Sequence, residues 1–226
     1  MINKLFLLGF FLLVQTVSVI AQANTRTYIK KDGVNGEIHS IYIENDRTSK
    51  YYDKILDFGF DKYDQASYSN SLEYFKEKNI RLTKIVVKDL PKEWITLKQY
   101  KGKFYVYHPC DFLFHYKVSI NDTTFIDWTG EGPNGSKIIS YKKISDQAAE
   151  LKLTGVYEPV RTLIIHWIDQ ANGIAVFENT VNNDYELMID AGKIKKVPII
   201  INYCPTQKEM ELNFGTPDYK KLLKRN

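Results

Sequence analysis

The densest run of reactive side chains in this 226-residue sequence is His108-Pro109-Cys110-Asp111. A cysteine hydrolase needs an imidazole beside its thiol, to take the proton and leave a thiolate nucleophile. Here a single proline separates the two, whereas nucleophile and base are normally brought together from distant segments. The run therefore reads as a turn at a strand end that carries a structural cysteine, and no catalytic residue is expected. His108, Asp111 and His115, joined in space by His39 or His166, are the conceivable metal ligands. Persuasive zinc sites place ligands at i and i+4 on a helix or as paired Cys-x-x-Cys, and neither pattern occurs. His115 and His166 are expected at a surface or interface, with no metal and no cofactor.

Gly130-Glu131-Gly132-Pro133-Asn134-Gly135 formally matches Gly-x-Gly-x-x-Gly. That fingerprint holds a phosphate because a helix N-terminus comes directly after it. In this chain the glycines lead instead into Lys137-Ile138-Ile139-Ser140-Tyr141, a strand-like run, so they predict a hairpin loop. Asp127, Glu131 and Glu158 stand near strand ends, where a pair of carboxylates could serve glycoside hydrolysis only if its separation and pKa values were suitable. The aromatic content is more informative, with 16 Tyr, 12 Phe and 3 Trp. Tyr105, Tyr107, Tyr116, Trp128 and Trp167 combine apolar faces with hydroxyl or indole groups, as a small-ligand cavity requires. They are the candidate ligand-binding residues; the competing reading makes them core and surface residues of an ordinary β fold.

The elements that must position these side chains are mostly strands. From Gly102 onward, short apolar-alternating segments recur about every ten residues between Gly, Pro, Asn and Asp, and eight or nine strands are expected between Lys103 and Ile201. Phe112, Phe114, Tyr116, Val118 and Ile120 alternate with polar neighbours, which predicts one long strand with five bulky groups on one face. The same period runs through Leu151 and Leu153, through Leu163, Ile165 and Trp167, and through Tyr185, Leu187 and Ile189. Turn chemistry falls at residues 130–135, at Ala171-Asn172-Gly173, at Asn182-Asn183-Asp184 and at Ala191-Gly192. Many consecutive antiparallel strands must manage their edges. Closure into an up-and-down barrel does so, with a two-sheet sandwich as the rival. Thr216-Pro217-Asp218 predicts a short helix over 217–224. Residues 24–90 read as a small α+β segment, with a strand at 37–44, a helical stretch around 69–78 and a strong strand at 81–88. Pro91 marks its boundary with a barrel domain over 91–226.

The first 23 residues have the three parts of a cleavable signal peptide: Lys4, an apolar run from Leu5 to Val14, and Ala21-Gln22-Ala23. The mature chain is then expected to begin near Asn24, in a secreted or periplasmic location, with no integral membrane segment after cleavage. Lys4 is the single charged residue of that stretch, so its removal lowers the net charge from +4 to +3. A charge so nearly balanced, with basic residues scattered among acids, excludes a dedicated nucleic-acid binder. In an oxidising compartment Cys110 and Cys204, the only cysteines, are expected to pair.

Three features of the strand region resemble the lipocalin-like barrels. Gly102-Lys103-Phe104-Tyr105 stands where that family has Gly-x-Trp on its first strand, Asn183-Asp184-Tyr185 is similar to its Thr-Asp-Tyr turn, and a short helix comes after the last strand. The resemblance covers roughly residues 94–226. It implies a mainly β, antiparallel up-and-down barrel with a cavity for a small, largely apolar ligand, and a disulfide from barrel to C-terminal segment. The alternatives are a solid-cored structural or interaction module and, behind it, a hydrolase. An outer-membrane barrel fits less well, because the chain ends in a charged helix rather than an aromatic-ended strand.

Overall fold

A computed structural model of the protein describes residues 26–156 and 160–224. The expected signal peptide and Glu158 lie outside the described residues. In chain order the elements are β1 (Arg26–Asp32), β2 (His39–Glu44), α1 (Lys50–Ile55), α2 (Lys62–Glu77), β3 (Glu93–Tyr100), β4 (Lys103–His108), β5 (Lys117–Ile120), β6 (Thr124–Thr129), β7 (Gly132–Lys143), β8 (Ala148–Thr154), β9 (Arg161–Asp169), β10 (Ile174–Asn179), β11 (Asp184–Asp190), β12 (Ile199–Tyr203) and α3 (Tyr219–Leu223).

Hydrogen bonding orders the strands β1-β2-β12-β4-β3-β11-β10-β9-β8-β7-β6-β5, and β5 pairs back onto β3. That last pairing closes β3 and β5 to β11 into an eight-stranded antiparallel up-and-down barrel, as the strand pattern predicts. Tight turns make this possible, with Gly173 (φ 74°) and Asn183 (φ 55°) taking the left-handed conformation that short hairpins need. The other four strands form an annex sheet outside the ring. Strand β3 serves both sheets: residues 93–96 pair with β5 and β11, and residues 97–100 pair with β4. In the annex, β12 runs antiparallel to β2 and parallel to β4, so the annex mixes strands from both ends of the chain.

Three apolar clusters result from this layering. The barrel lumen is filled by Trp94, Val118, Ile120, Phe125, Ile138, Leu151, Leu153, Leu163, Ile165, Trp167, Phe177 and Met188. The outside of β10, β11 and β3 packs against the annex and α1 through Val176, Leu187, Leu97, Tyr42, Tyr52 and Ile199. This is why β10 is buried on both faces over its first four residues. The far face of the annex, with Ile41, Tyr105, Tyr107 and Ile200, is covered by Leu212 and Phe214 of the C-terminal segment. Cys110 and Cys204 are joined in a disulfide with Cα atoms 5.8 Å apart, tying the segment after β4 to the segment after β12.

Several local expectations are corrected. Residues 81–88 form no strand. Ile85 and Val87 pack against the lumen cluster, and the Ile85 amide donates to the Asp122 carbonyl at 2.7 Å. The β-like alternation is present, but the closed ring leaves no edge for it to join. Phe112–Phe114 is a 3-10 turn rather than the start of a long strand, because Asp111 accepts the Leu113 amide (3.1 Å) and bends the chain. Only Tyr116, Val118 and Ile120 keep the lumen phase. Gly102-Lys103-Phe104-Tyr105 opens β4, which stands in the annex; the first strand of the ring is β3 with its buried Trp94. Helix α2 begins seven residues before the expected stretch, where Asp61 and Asp64 make a capping box. Helix α3 starts at Tyr219 with Asp218, not Thr216, as its N-cap.

Candidate functional site

Along each barrel strand one alternation phase points inward, and its chemistry changes with height. Toward one end the inward groups are apolar and the lumen is solid. Toward the other, the same phase continues into Asp127 and Thr129 on β6, Asn134 and Ser136 on β7, Arg161 on β9, Asn179 on β10, and Asp184 and Glu186 on β11. These groups line an open cavity of about 390 Å³ whose floor is Phe125, Leu163 and Phe177.

The centre of this mouth is a fixed polar triad. Asp127 accepts a hydrogen bond from the Tyr116 hydroxyl at 2.5 Å and pairs with the Arg161 guanidinium. The guanidinium also lies over the Phe125 ring, 5.2 Å from its centroid. Burial, reinforced by the Asp127 charge, holds the Tyr116 phenol well above its ordinary pKa, so it stays a donor. Glu186 is exposed at the rim. Desolvation by the surrounding wall pushes its pKa upward, Lys98 opposes this, and Asp184 adds to it. The mouth is therefore lined by three carboxylates and one guanidinium, with Asp127 paired to Arg161 and Glu186 within reach of the Lys98 charge.

The structure distributes the five candidate aromatics among different places. Tyr116 lines the mouth. Trp167 lies 5.1 Å from Trp94, away from the mouth, and lines a separate recess of about 220 Å³ with Leu90 and Tyr141. Trp128 points out of the barrel, stacked on Phe60 at 4.8 Å, with its indole N–H donating to Ser119 Oγ at 2.9 Å. Tyr105 and Tyr107 are on the annex, under the C-terminal segment. The groups that build the mouth were readable in part. Arg161 continues the phase of Leu163, Ile165 and Trp167, and Asp127 continues that of Phe125. No pattern in the sequence tells which end of the barrel opens.

A second recess of about 540 Å³ lies between α2 and the β6–β7 hairpin, lined by Ser67, Asn70, Ser71 and Glu131. It shares Thr129 and Asn134 with the mouth. The hairpin itself is the predicted loop at residues 130–135. A cleft of about 560 Å³ beside Trp128 holds Lys117, whose ammonium lies 4.6 Å from the Phe58 ring centre and 4.9 Å from that of Trp128. Burial lowers the Lys117 pKa.

Two histidines sit on the annex side of this cleft. His108 is 7 % exposed, wedged edge-on between Tyr51 (4.8 Å) and Phe112 (5.0 Å), and neither ring nitrogen has a hydrogen-bond partner. Burial, with Lys54 nearby, lowers its pKa to about 4. Half-buried His115 is lowered to about 3 by burial and by Lys117, His108 and Lys98. His39 is buried against Asn202 Oδ1 at 2.6 Å, and His166 pairs with Glu178 at 2.7 Å. Among the described residues, no group of three or more His, Cys, Asp and Glu is placed to hold a metal ion.

Comparison with protein-family models, with curated proteins and with solved structures finds no match.

Proposed function

We propose that this protein is a secreted or periplasmic, non-catalytic, lipocalin-like barrel that binds a small molecule at the open end of its lumen. The observation that carries the reading is the mouth itself: a cavity of about 390 Å³ with an apolar floor of Phe125, Leu163 and Phe177 beneath a ring of polar groups. A few convergent polar groups over an apolar surface are the usual make-up of a small-ligand pocket. Its lining asks for an amphipathic ligand rather than a wholly apolar one. Support for the location comes from the Cys110–Cys204 disulfide, which suits an oxidising compartment.

The test is a titration of the purified protein with a neutral fluorescent apolar probe such as Nile red. Saturable one-to-one binding is expected, weakened when the exposed rim residue Asp184 is replaced by Trp to fill the mouth. One observation favours a second reading, a solid-cored structural or interaction module. Below the mouth, Trp94, Ile138, Leu151, Leu153 and Ile165 are all completely buried and leave the lumen filled. Probe binding that never saturates and ignores Asp184→Trp supports that module instead.

A further inference from the structure

We propose that residues 81–90 are a displaceable strap: they stopper the lumen at the end opposite the mouth, and they come away from it while the eight-stranded ring stays folded, uncovering a site for an aliphatic ligand. This goes beyond the binding reading above, since it concerns the other end of the barrel.

Position is the first ground. Strand β6 begins at Thr124 and reaches the mouth at Thr129, so the turn between β5 and β6 lies at the far end of the barrel. The Ile85 amide donates to the Asp122 carbonyl in that turn at 2.7 Å, and the Tyr141 hydroxyl of β7 donates to the Lys88 carbonyl. The segment therefore crosses the end of the ring, with Ile85, Val87 and Leu90 set against the lumen cluster. Ala175, paired with Trp167 across β9 and β10, is completely buried in that cluster, and Trp167 shares the recess of about 220 Å³ with Leu90.

Attachment is the second. Among the described residues, those two hydrogen bonds are the strap's links to the ring, and no side chain from Arg81 to Leu90 is fully buried. Residues 205–215 cover the annex quite differently, anchored by the contacts of Glu211 and by the neighbouring Cys110–Cys204 disulfide. Leu82, Ile85, Val86 and Val87 favour a strand, yet residues 81–88 stand outside the hydrogen-bonded ladder. A segment with few buried contacts and few protected backbone bonds opens at a free energy well below that of the whole fold. Asn79 (φ 53°) and Asp89 (φ 63°) take the left-handed conformation, so a bend marks each end of the unit that moves.

What leaves decides what can enter. The strap sets three aliphatic side chains, Ile85, Val87 and Leu90, against an apolar wall, and their place adjoins the recess lined by Ala148, Ala149 and Trp167. A polar group put there would lose its water and gain no partner from that wall, so the occupant must be aliphatic. It must also be slender and shallow, because Leu151, Leu153 and Ile165 keep the middle of the lumen filled. Such a ligand binds the open strap alone and raises its population, as ligands of pockets hidden in the resting fold do.

The experiment follows strap opening in the full mature chain. Because Cys110 and Cys204 are paired, Ala175→Cys supplies the one reactive thiol, and it lies in the lumen cluster that the strap covers. Its labelling by iodoacetamide at low urea should be nearly independent of urea, since opening a strap exposes little surface. Val87→Ser, which removes an inward aliphatic group, should speed labelling about tenfold, whereas Val86→Ser, at a side chain 69 % exposed, should change it by less than about twofold. In the chain without these substitutions, trypsin should cut first after the exposed Lys84 and Lys88, and n-octanol should speed that cut by holding the strap open. Octanol is also added to Asp184→Trp, whose mouth is filled, and the same acceleration is expected. Labelling that climbs with the full urea dependence of unfolding, or trypsin cutting the strap no sooner than the ring, overturns the strap. A cut that octanol leaves unchanged overturns the ligand class and leaves the opening standing. An octanol effect lost in Asp184→Trp overturns the site beneath the strap and assigns the binding to the mouth.

Discussion

In the barrel lumen Trp94 meets Trp167 at 5.1 Å and Phe177 at 4.9 Å, and neighbouring side chains around them are apolar. Under the C-terminal segment of the annex, by contrast, an interlocked polar network stands beside the apolar cluster of Ile41, Tyr105 and Ile200. The two N–H groups of the Asn202 amide are shared among Glu211 (2.9 Å), the Met210 carbonyl (3.1 Å) and the Tyr107 hydroxyl (3.2 Å), while its own carbonyl meets His39. Glu211 also takes the Tyr107 hydroxyl and the Cys110 and Asp111 amides. Apart from β3, the lumen is assembled from strands that succeed one another in sequence, each correct hairpin adding a wall. The annex joins segments more than 90 residues apart, and the polar groups of Tyr107, Asn202 and Glu211 find one another only when all of those segments arrive. The barrel lumen is thus held by burial that tolerates adjustment, while the annex adds directional bonds and one covalent tie to its apolar packing.

Removing the largest wholly buried lumen side chain strikes the barrel hardest. Trp94→Ala should cost about 3–5 kcal/mol, read as a lowered urea midpoint, because the cavity it leaves is walled by strands on all sides. A loss confined to the annex would break the comparison. Replacing Cys110 and Cys204 by Ser should cost about 2–4 kcal/mol, and hydrogen exchange should locate it. Amides of β12 and of residues 205–215 are expected to exchange faster while β6 to β10 keep their protection. Glu211→Gln should cost about 2 kcal/mol, since a charged acceptor of several buried donors becomes a neutral one.

Acid gives the finest test. His108 and His115 titrate near 4 and 3 in the folded chain, against about 6.5 when unfolded. Above pH 6.5 neither state holds the extra proton. As pH falls below that, the unfolded chain is protonated first, so each histidine removes about 1.4 kcal/mol of stability per pH unit until its folded pKa is approached. Unfolding measured from pH 7 to pH 4 should show this slope, and His108→Gln with His115→Gln should flatten it. A slope unchanged by the double substitution would place the acid sensitivity elsewhere.

Legibility in the sequence divides along the same line. Alternation and turn residues revealed the strand count and the ring, because each hairpin is specified within about twenty residues of chain. The annex was hidden for the opposite reason. Nothing local in Lys103–His108 says that it leaves the ring to lie parallel to β12, and nothing local in residues 81–88 says that no edge awaits them. The disulfide was legible from compartment and cysteine count alone. Tyr116 faces the lumen because its phase is that of Val118 and Ile120. Trp128 points out of the barrel because Asp127, its polar neighbour, is the one facing inward, paired with Arg161. An inward carboxylate contradicts the simple apolar-inside pattern, and that contradiction is the mark of the mouth.

Strand β3 also sets the tempo of folding. Its residues 93–96 cannot complete the ring until residues 188–190 arrive, and β2 waits longer still for β12. Topologies dominated by such distant pairings fold in milliseconds to seconds rather than microseconds. On a growing chain, β2 and β3 each keep one edge unmet until β12 and β11 are made, so two of the earliest strands are among the last to be fully paired.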